Sequence, residues 1–393
     1  MYSLLLIIIF IAFISLGLPD SLLGSGWPAM QPQLSVPISY AGIISMIIAA
    51  GTIISSLLSD RLTKKFGVGL VTAISVLMTA AALLGFSISG SFILLCLWAI
   101  PYGLGAGAVD AALNNYVAVH YTSKHMNWLH CFWGIGAMTG PYIMGFYLTQ
   151  GLEWSNGYMT VGVLQTVLVV ILFCSLPLWK KREAGSAGEP VPAKKISQLL
   201  QIRGVKYVLF AFFSYCALEI TAGLWASTYL VNQRGVSVET AAWYASLFFI
   251  GITAGRFLSG FISNQLGDKK MILIGIYIIF FGVAAIWIPT GTDLLCLIGL
   301  ILIGLGCAPI YPSIIHSTPE NFGAENSQAI VGLQMASAYT GSTFMPPLFG
   351  MVANFTGFYL YPIYLLIFAI LILIMINTAN KSIARKGEMK NAE

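Results

Sequence analysis

Charge is what this chain has least of. Of its 393 residues only 8% are Asp, Glu, Lys or Arg and 58% are hydrophobic, with a mean hydropathy of +0.86, whereas a soluble domain is about 25% charged. So sparse a supply cannot cover a water-facing surface, which excludes an ordinary globular protein. Acid is the scarcer sign, giving a formal charge of +5. That excess does not point to a nucleic-acid partner, because the basic residues sit in short connections between apolar runs. None of the six cysteines (Cys96, Cys131, Cys174, Cys216, Cys296, Cys307) forms a CxxC pair or stands beside a metal-ligand cluster. All lie in apolar stretches, where a thiol is a small packing group. There is no HExxH, no GxSxG and no extended polar loop, so no enzyme, cofactor, metal site or receptor module is expected.

What is present is apolar length. At about 20 residues per crossing, the chain has room for twelve spans and little else. Runs bounded by glycine, proline or charge lie near 2–25, 38–58, 68–88, 92–118, 126–150, 157–178, 204–231, 240–263, 271–289, 294–314, 327–352 and 359–379. The first lacks the basic region of a signal peptide and is read as a helix that stays. Lys and Arg favour cytoplasmic loops, and with the N-terminus inside, all but Arg234 and Arg256 fall on that side. The expectation is an all-α, multi-pass protein of the cytoplasmic (inner) membrane, both termini cytoplasmic and the lipid bilayer its surroundings.

The polar segment Lys180 to Gln201, with Pro190 and Pro192, divides the chain almost equally. This predicts an N-terminal six-helix bundle over 1–179, a cytoplasmic linker over 180–202 and a C-terminal six-helix bundle with a short tail over 203–393. The halves repeat at a spacing of roughly 200 residues, as in transporters built from parallel repeats. Asp20 and Gly24 answer Glu219 and Gly223, Gly103-Leu-Gly-Ala answers Gly304-Leu-Gly-Cys, Pro141 and Gly145 answer Pro346 and Gly350, and Asp60-Arg61-Leu62 answers Asn264-Gln265-Leu266. Gly103 with Gly107, Gly136 with Gly140, and Gly251 with Gly255 have the four-residue spacing that lets membrane helices approach closely.

Four formal charges lie inside apolar runs: Asp20, Asp110, Glu219 and Arg256. A charge in hydrocarbon costs several kcal/mol, so such residues face an aqueous path or pair with each other. Helical spacing puts Asp20 on a stripe with Gly17, Gly24 and Trp27, Asp110 with Gly103, Gly107 and Asn114, and Glu219 with Tyr215, Ala222 and Ala226. Asp20, then Glu219 and Asp110, are the candidate cation-coupling acids. Matching depth from the helix ends predicts an intramembrane ion pair of Arg256 with Asp110, leaving the other two acids free. Candidate substrate contacts are Trp27, Asn114, Asn115, His130, Trp133, Tyr311 and Gln334. His130 and Trp133 share a face of the fifth span, and Pro309 and Pro312 flank Tyr311 and interrupt regular helix pairing. Each of these also has a plain reading as packing.

The run from Ser55 to Gly67 (SSLLSDRLTKKFG) resembles the signature between the second and third spans of the major facilitator superfamily, with a weaker counterpart over Gly260 to Lys270. Asp60 there can cap a helix N-terminus or pair with a basic residue, making Asp60, Arg61 and Lys64 a candidate cytoplasmic gate. The stretch Asn127 to Pro141 (NWLHCFWGIGAMTGP), with Asp20 ahead of LLGSGWP, is similar to the branch of fucose/proton symporters and sodium-dependent glucose transporters. The resemblance implies that the first, fourth and seventh spans line a central cavity. It also implies a monomer that moves a small neutral solute, a hexose, with H+ or Na+ by alternating access, Asp20 and Asp110 standing at the branch's acidic positions. The rival reading is a drug/proton antiporter exporting amphipathic compounds, against which the polar Asn114, Asn115, His130 and Gln334 weigh.

Overall fold

A chain crossing a bilayer has no water to satisfy its peptide groups, so its apolar runs fold as helix. The computed structural model describes residues 2–37, 40–184, 194–236, 238–288 and 293–390, and among these no strand occurs. In order they form α1 (Tyr2–Asp20), α2 (Leu22–Leu34), α3 (Tyr40–Phe66), α4 (Val68–Ser87), α5 (Phe92–His120), α6 (Ser123–Thr149), α7 (Trp154–Ala184), α8 (Ile196–Leu199), α9 (Val205–Arg234), α10 (Val238–Leu266), α11 (Asp268–Trp287), α12 (Leu294–Cys307), α13 (Ile310–His316), α14 (Thr318–Phe322), α15 (Ala324–Thr356) and α16 (Tyr361–Lys390). Helices α1 and α2 together make one crossing, α12 and α13 another, and α8 and α14 are short connectors. Two sets of six result, the fold class expected from the sequence. Exposed side chains such as Ile93, Leu97, Val163, Val167 and Val170 make faces that lipid covers.

Ten crossings are long and apolar enough to span a membrane among the described residues. The other two, α6 and α15, have the length, 27 and 33 residues, but carry polar side chains along it. They are the fifth helix of each set.

The chain divides into two compact units, residues 1–116 with 129–193 and residues 117–128 with 194–393. The second boundary falls within the expected linker 180–202, whose residues 185–193 lie outside those described. Helix α7 reaches Ala184 at its leading end. Assignment of residues 117–128 to the second unit is not anticipated by the sequence halves.

Within each unit the glycine pairs set the closest crossings. A methyl on Gly103 would collide with the carbonyl oxygen of Ile48, on Gly105 with that of Ser75, and on Gly136 with that of Ile14. In the second unit Gly304 meets the carbonyl of Phe248, Gly306 that of Gly275, and Gly341 that of Phe213. Three crossings thus recur, α3 on α5 as α10 on α12, α4 on α5 as α11 on α12, and α1 on α6 as α9 on α15. The duplication read from the sequence is present in the packing.

One expectation is corrected. The second apolar run was expected to end near residue 58, inside the Ser55 to Gly67 signature, yet α3 continues through it to Phe66. Asp60 and Lys64, one turn apart, form an ion pair of 3.0 Å, which supports the helix. The turn waits for Gly67, whose φ of 79° suits glycine; Gly267 does the same at 77° between α10 and α11.

Candidate cation and substrate site

The first-unit site begins with a break in a helix. Pro19 has no N–H to give to the carbonyl of Ser15, four residues earlier. Gln165 of α7 donates its Nε2 to that carbonyl instead, at 2.7 Å, and accepts at Oε1 from the Thr79 hydroxyl at 2.8 Å. The freed backbone group is therefore satisfied inside the bundle, as a membrane interior requires. Helix α1 ends one residue later, at Asp20, and α2 starts at Leu22.

Asp20 is held at this break by two aromatic side chains. Trp133 of α6 donates its indole N–H to Oδ2 at 2.9 Å, and Tyr102 of α5 donates its hydroxyl to Oδ1 at 3.5 Å. Both donors are neutral, and among the described residues no Lys, Arg or His forms a salt bridge to Asp20. Beside it the structure is open: a methyl on Gly24 or Gly134 would meet no atom within 4 Å. Trp133 is thus placed against Asp20. Tyr102 is a residue the sequence analysis missed, since no spacing rule ties it to an acid on a different helix.

Asp110 heads a second chain of contacts. Asn114, one turn along α5, donates its amide to Asp110 Oδ1 at 2.8 Å, and its carbonyl oxygen faces His130 Nε2 at 3.0 Å. With the Asn oxygen accepting, Nε2 carries the hydrogen. Phe13 packs perpendicular to the imidazole, ring centroids 5.6 Å apart. Asp110, Asn114, Asn115 and His130 are all buried. Trp27, expected near Asp20 as a substrate contact, is instead 5% exposed in the apolar core with Leu22, Met30 and Met144.

The second unit answers Asp20 with Glu219, and here the charge is neutralised. Arg256 of α10 donates to Glu219 Oε1 of α9 at 3.1 Å, with side chains 5% and 13% exposed. The pairing expected for Arg256 was with Asp110; within its own unit the arginine is held by Glu219, which corrects the expectation that Glu219 is free. The depth comparison treated side chains as points. Glu219 lies 14 residues into α9 and Arg256 ten from the end of α10, a difference of about 6 Å at 1.5 Å per residue, which the arginine side chain bridges. Tyr311 packs against Phe212 with centroids 4.6 Å apart and the rings tilted by 46°, and its hydroxyl points to the Met335 sulfur at 3.2 Å. The break beside it falls where Pro309 predicts, α12 ending at Cys307 with its carbonyl taken by the Tyr215 hydroxyl at 3.0 Å. Gln334, expected to meet substrate, is fully buried and exchanges hydrogen bonds with Thr318 at 3.0 and 3.2 Å. It fastens α15 to α14. Among the described residues no three His, Cys, Asp or Glu gather as a metal site.

Two related six-helix sets, with Asp20 at the break between α1 and α2 and Asp110 buried in α5, make a duplicated multi-pass membrane protein. The chain belongs to the Major Facilitator Superfamily, whose sequence model matches residues 5–237 and 207–391. It is 23% identical to the glucose/mannose transporter GlcP of Bacillus subtilis, over 87% of this chain and 86% of that one. It is 24% identical to the hexuronate transporter of the same organism, over 90% of this chain and 88% of that one. Among solved structures, the fucose:proton symporter FucP of E. coli superposes with a TM-score of 0.75 at 17% identity, over 97% of this chain and 99% of that one.

Proposed function

We propose that this transporter takes up a small neutral solute, a hexose, across the cytoplasmic membrane by alternating access coupled to H+ or Na+, with both termini in the cytoplasm and the carrier acting as a monomer. The observation that carries this reading is Asp20, an acid at a helix break, held by two neutral aromatic donors beside open space. A carboxylate without a cationic partner is the group that gains most from taking up a coupling cation. Asp110, bonded through Asn114 to His130, is the second coupling group. Trp133 and Tyr102 offer an aromatic face and polar tips suited to a sugar's alternating apolar and hydroxylated surfaces.

One of the two bacterial relatives named above is a glucose/mannose transporter and the other a hexuronate transporter, and the arginine favours the neutral substrate. An anionic hexuronate calls for a cation to receive it, whereas Arg256 is already engaged by Glu219. Asp60, Arg61 and Lys64, at the end of α3, are proposed to act at a cytoplasmic gate and not on the substrate. Export of amphipathic drugs by proton antiport is the rival.

The test is uptake of labelled glucose, fucose, a hexuronate and an amphipathic drug into proteoliposomes, under imposed pH or Na+ gradients. Accumulation of a neutral hexose under one gradient is the expected result. Accumulation of the hexuronate alone, or gradient-driven movement of the drug in the opposite sense, would overturn it.

A further inference from the structure

A second cluster of ionisable groups lies apart from the acids of the first unit. Asp268 opens α11, directly after the positive-φ turn at Gly267. Its Oδ1 accepts from the Ser123 hydroxyl at 2.6 Å, and its Oδ2 faces Nδ1 of His316 at 2.6 Å. The other ring nitrogen of His316, Nε2, lies 3.1 Å from the carbonyl oxygen of Tyr121. The His316 and Asp268 side chains are 21% and 9% exposed. Around them the Lys124 backbone N–H donates to Asn264 Oδ1 at 3.1 Å, the Lys124 ammonium lies over the Trp128 ring, and that ring packs on Phe261. Residues 121–128 are thereby fastened to α10, α11 and α13, all within the second unit.

Counting hydrogens at His316 gives the chemistry. A carbonyl oxygen only accepts, so Nε2 carries a hydrogen. An ionised carboxylate also only accepts, so Nδ1 carries one too, and the ring is an imidazolium. If the proton in the short contact sits on Asp268 instead, the count is unchanged: the cluster holds one proton more than a carboxylate and a neutral imidazole. Without it, one of the two contacts sets acceptor against acceptor.

We propose that His316, Asp268 and the Tyr121 carbonyl form a proton-binding site, distinct from the acids of the first unit, whose loaded state clasps residues 117–128 to the second unit. The other ionisable groups near it are Glu320, one turn on in α14, and Lys124 and His125 of α6. Glu320 favours the added positive charge, and Lys124 opposes it. The clasp is complete when the proton is bound and is lost as pH rises through the site's titration.

Hydrogen exchange of the full-length protein in detergent or nanodiscs, over about pH 5 to 8 where histidine changes charge, tests this directly. After correction for intrinsic exchange, protection of peptides covering 117–128 falls as pH rises, by about tenfold for the loss of one charge-assisted bond. The fall tracks the 15N imidazolium signal of His316, identified by its absence in His316→Gln. His316→Gln removes the pH step, and Asp268→Asn moves it to lower pH. Ser123→Ala, which leaves both titrating groups, keeps the step. Protection that does not vary with pH in the native chain, a step that survives in His316→Gln, or a neutral His316 throughout would each overturn the proposal. If His316→Gln fails to fold, the native 15N titration and the Asp268→Asn shift decide it.

Discussion

At the scale of single residues, three acids on broken or polar helices have three different neighbourhoods. Asp20 meets an indole N–H and a phenol, Asp110 an asparagine amide, Glu219 a guanidinium. Replacing Asp20 by Asn keeps the shape of the acid and removes its titration. Asp20→Asn is therefore expected to abolish concentrative uptake while exchange of substrate down its gradient remains; accumulation at the native level would sink the coupling assignment. Arg256→Gln strands a largely buried Glu219, at a cost of about 3–5 kcal/mol. Its thermal unfolding in detergent should drop markedly, and adding Glu219→Gln should restore much of the loss. These positions also show how far residue types alone can go. That Asp20, Asp110, Glu219 and Arg256 matter follows from charge in an apolar run. Which acid holds the arginine does not, because depth along a helix says nothing of azimuth or of side-chain reach.

At the scale of helices, backbone proximity rather than side-chain chemistry sets the tolerance. A methyl on Gly136 runs into the carbonyl oxygen of Ile14, an atom fixed in α1, while Gly134 two residues away faces open space. Gly136→Ala should destabilise by about 1–3 kcal/mol, the usual cost of overpacking, and Gly134→Ala should be neutral or slightly favourable through helix propensity. Thermal-shift measurements on the two variants compare them, and equal losses would mean that α1 and α6 separate easily. The α1 break rests on a similar constraint. Gln165→Leu leaves the Ser15 carbonyl without its partner in α7, while the Thr79 hydroxyl keeps its bond to the Val76 carbonyl, so it should lower stability by about 1–3 kcal/mol. Four-residue glycine spacing made the close crossings legible beforehand. Gln165 was not legible, because nothing local announces that a glutamine in α7 answers a proline in α1.

At the scale of the whole molecule, two units share one set of crossings but not one set of charges. Gly103 and Gly304 occupy matching places and meet matching carbonyls, of Ile48 and Phe248. Gly103→Ala and Gly304→Ala should therefore cost similar stability, to within about 1 kcal/mol on the overpacking scale; a large loss at one and none at the other would show that the duplication no longer governs packing. The crossings and the duplication were readable from hydropathy and spacing, and the family from the resemblance carried by the Ser55 to Gly67 run. The assignment of residues 117–128 was not, since Ser123, Asp268 and His316 lie far apart in sequence and none is unusual in its own run. The weak hydropathy of α6 and α15 bears on how such a chain reaches the bilayer during synthesis. A helix that is too polar to leave the insertion machinery alone has to leave it together with an apolar companion. Insertion of α6 is then expected to depend on an apolar neighbour such as α5, and that of α15 on the helices before it, so that removal of the companion helix should leave the polar one outside the lipid.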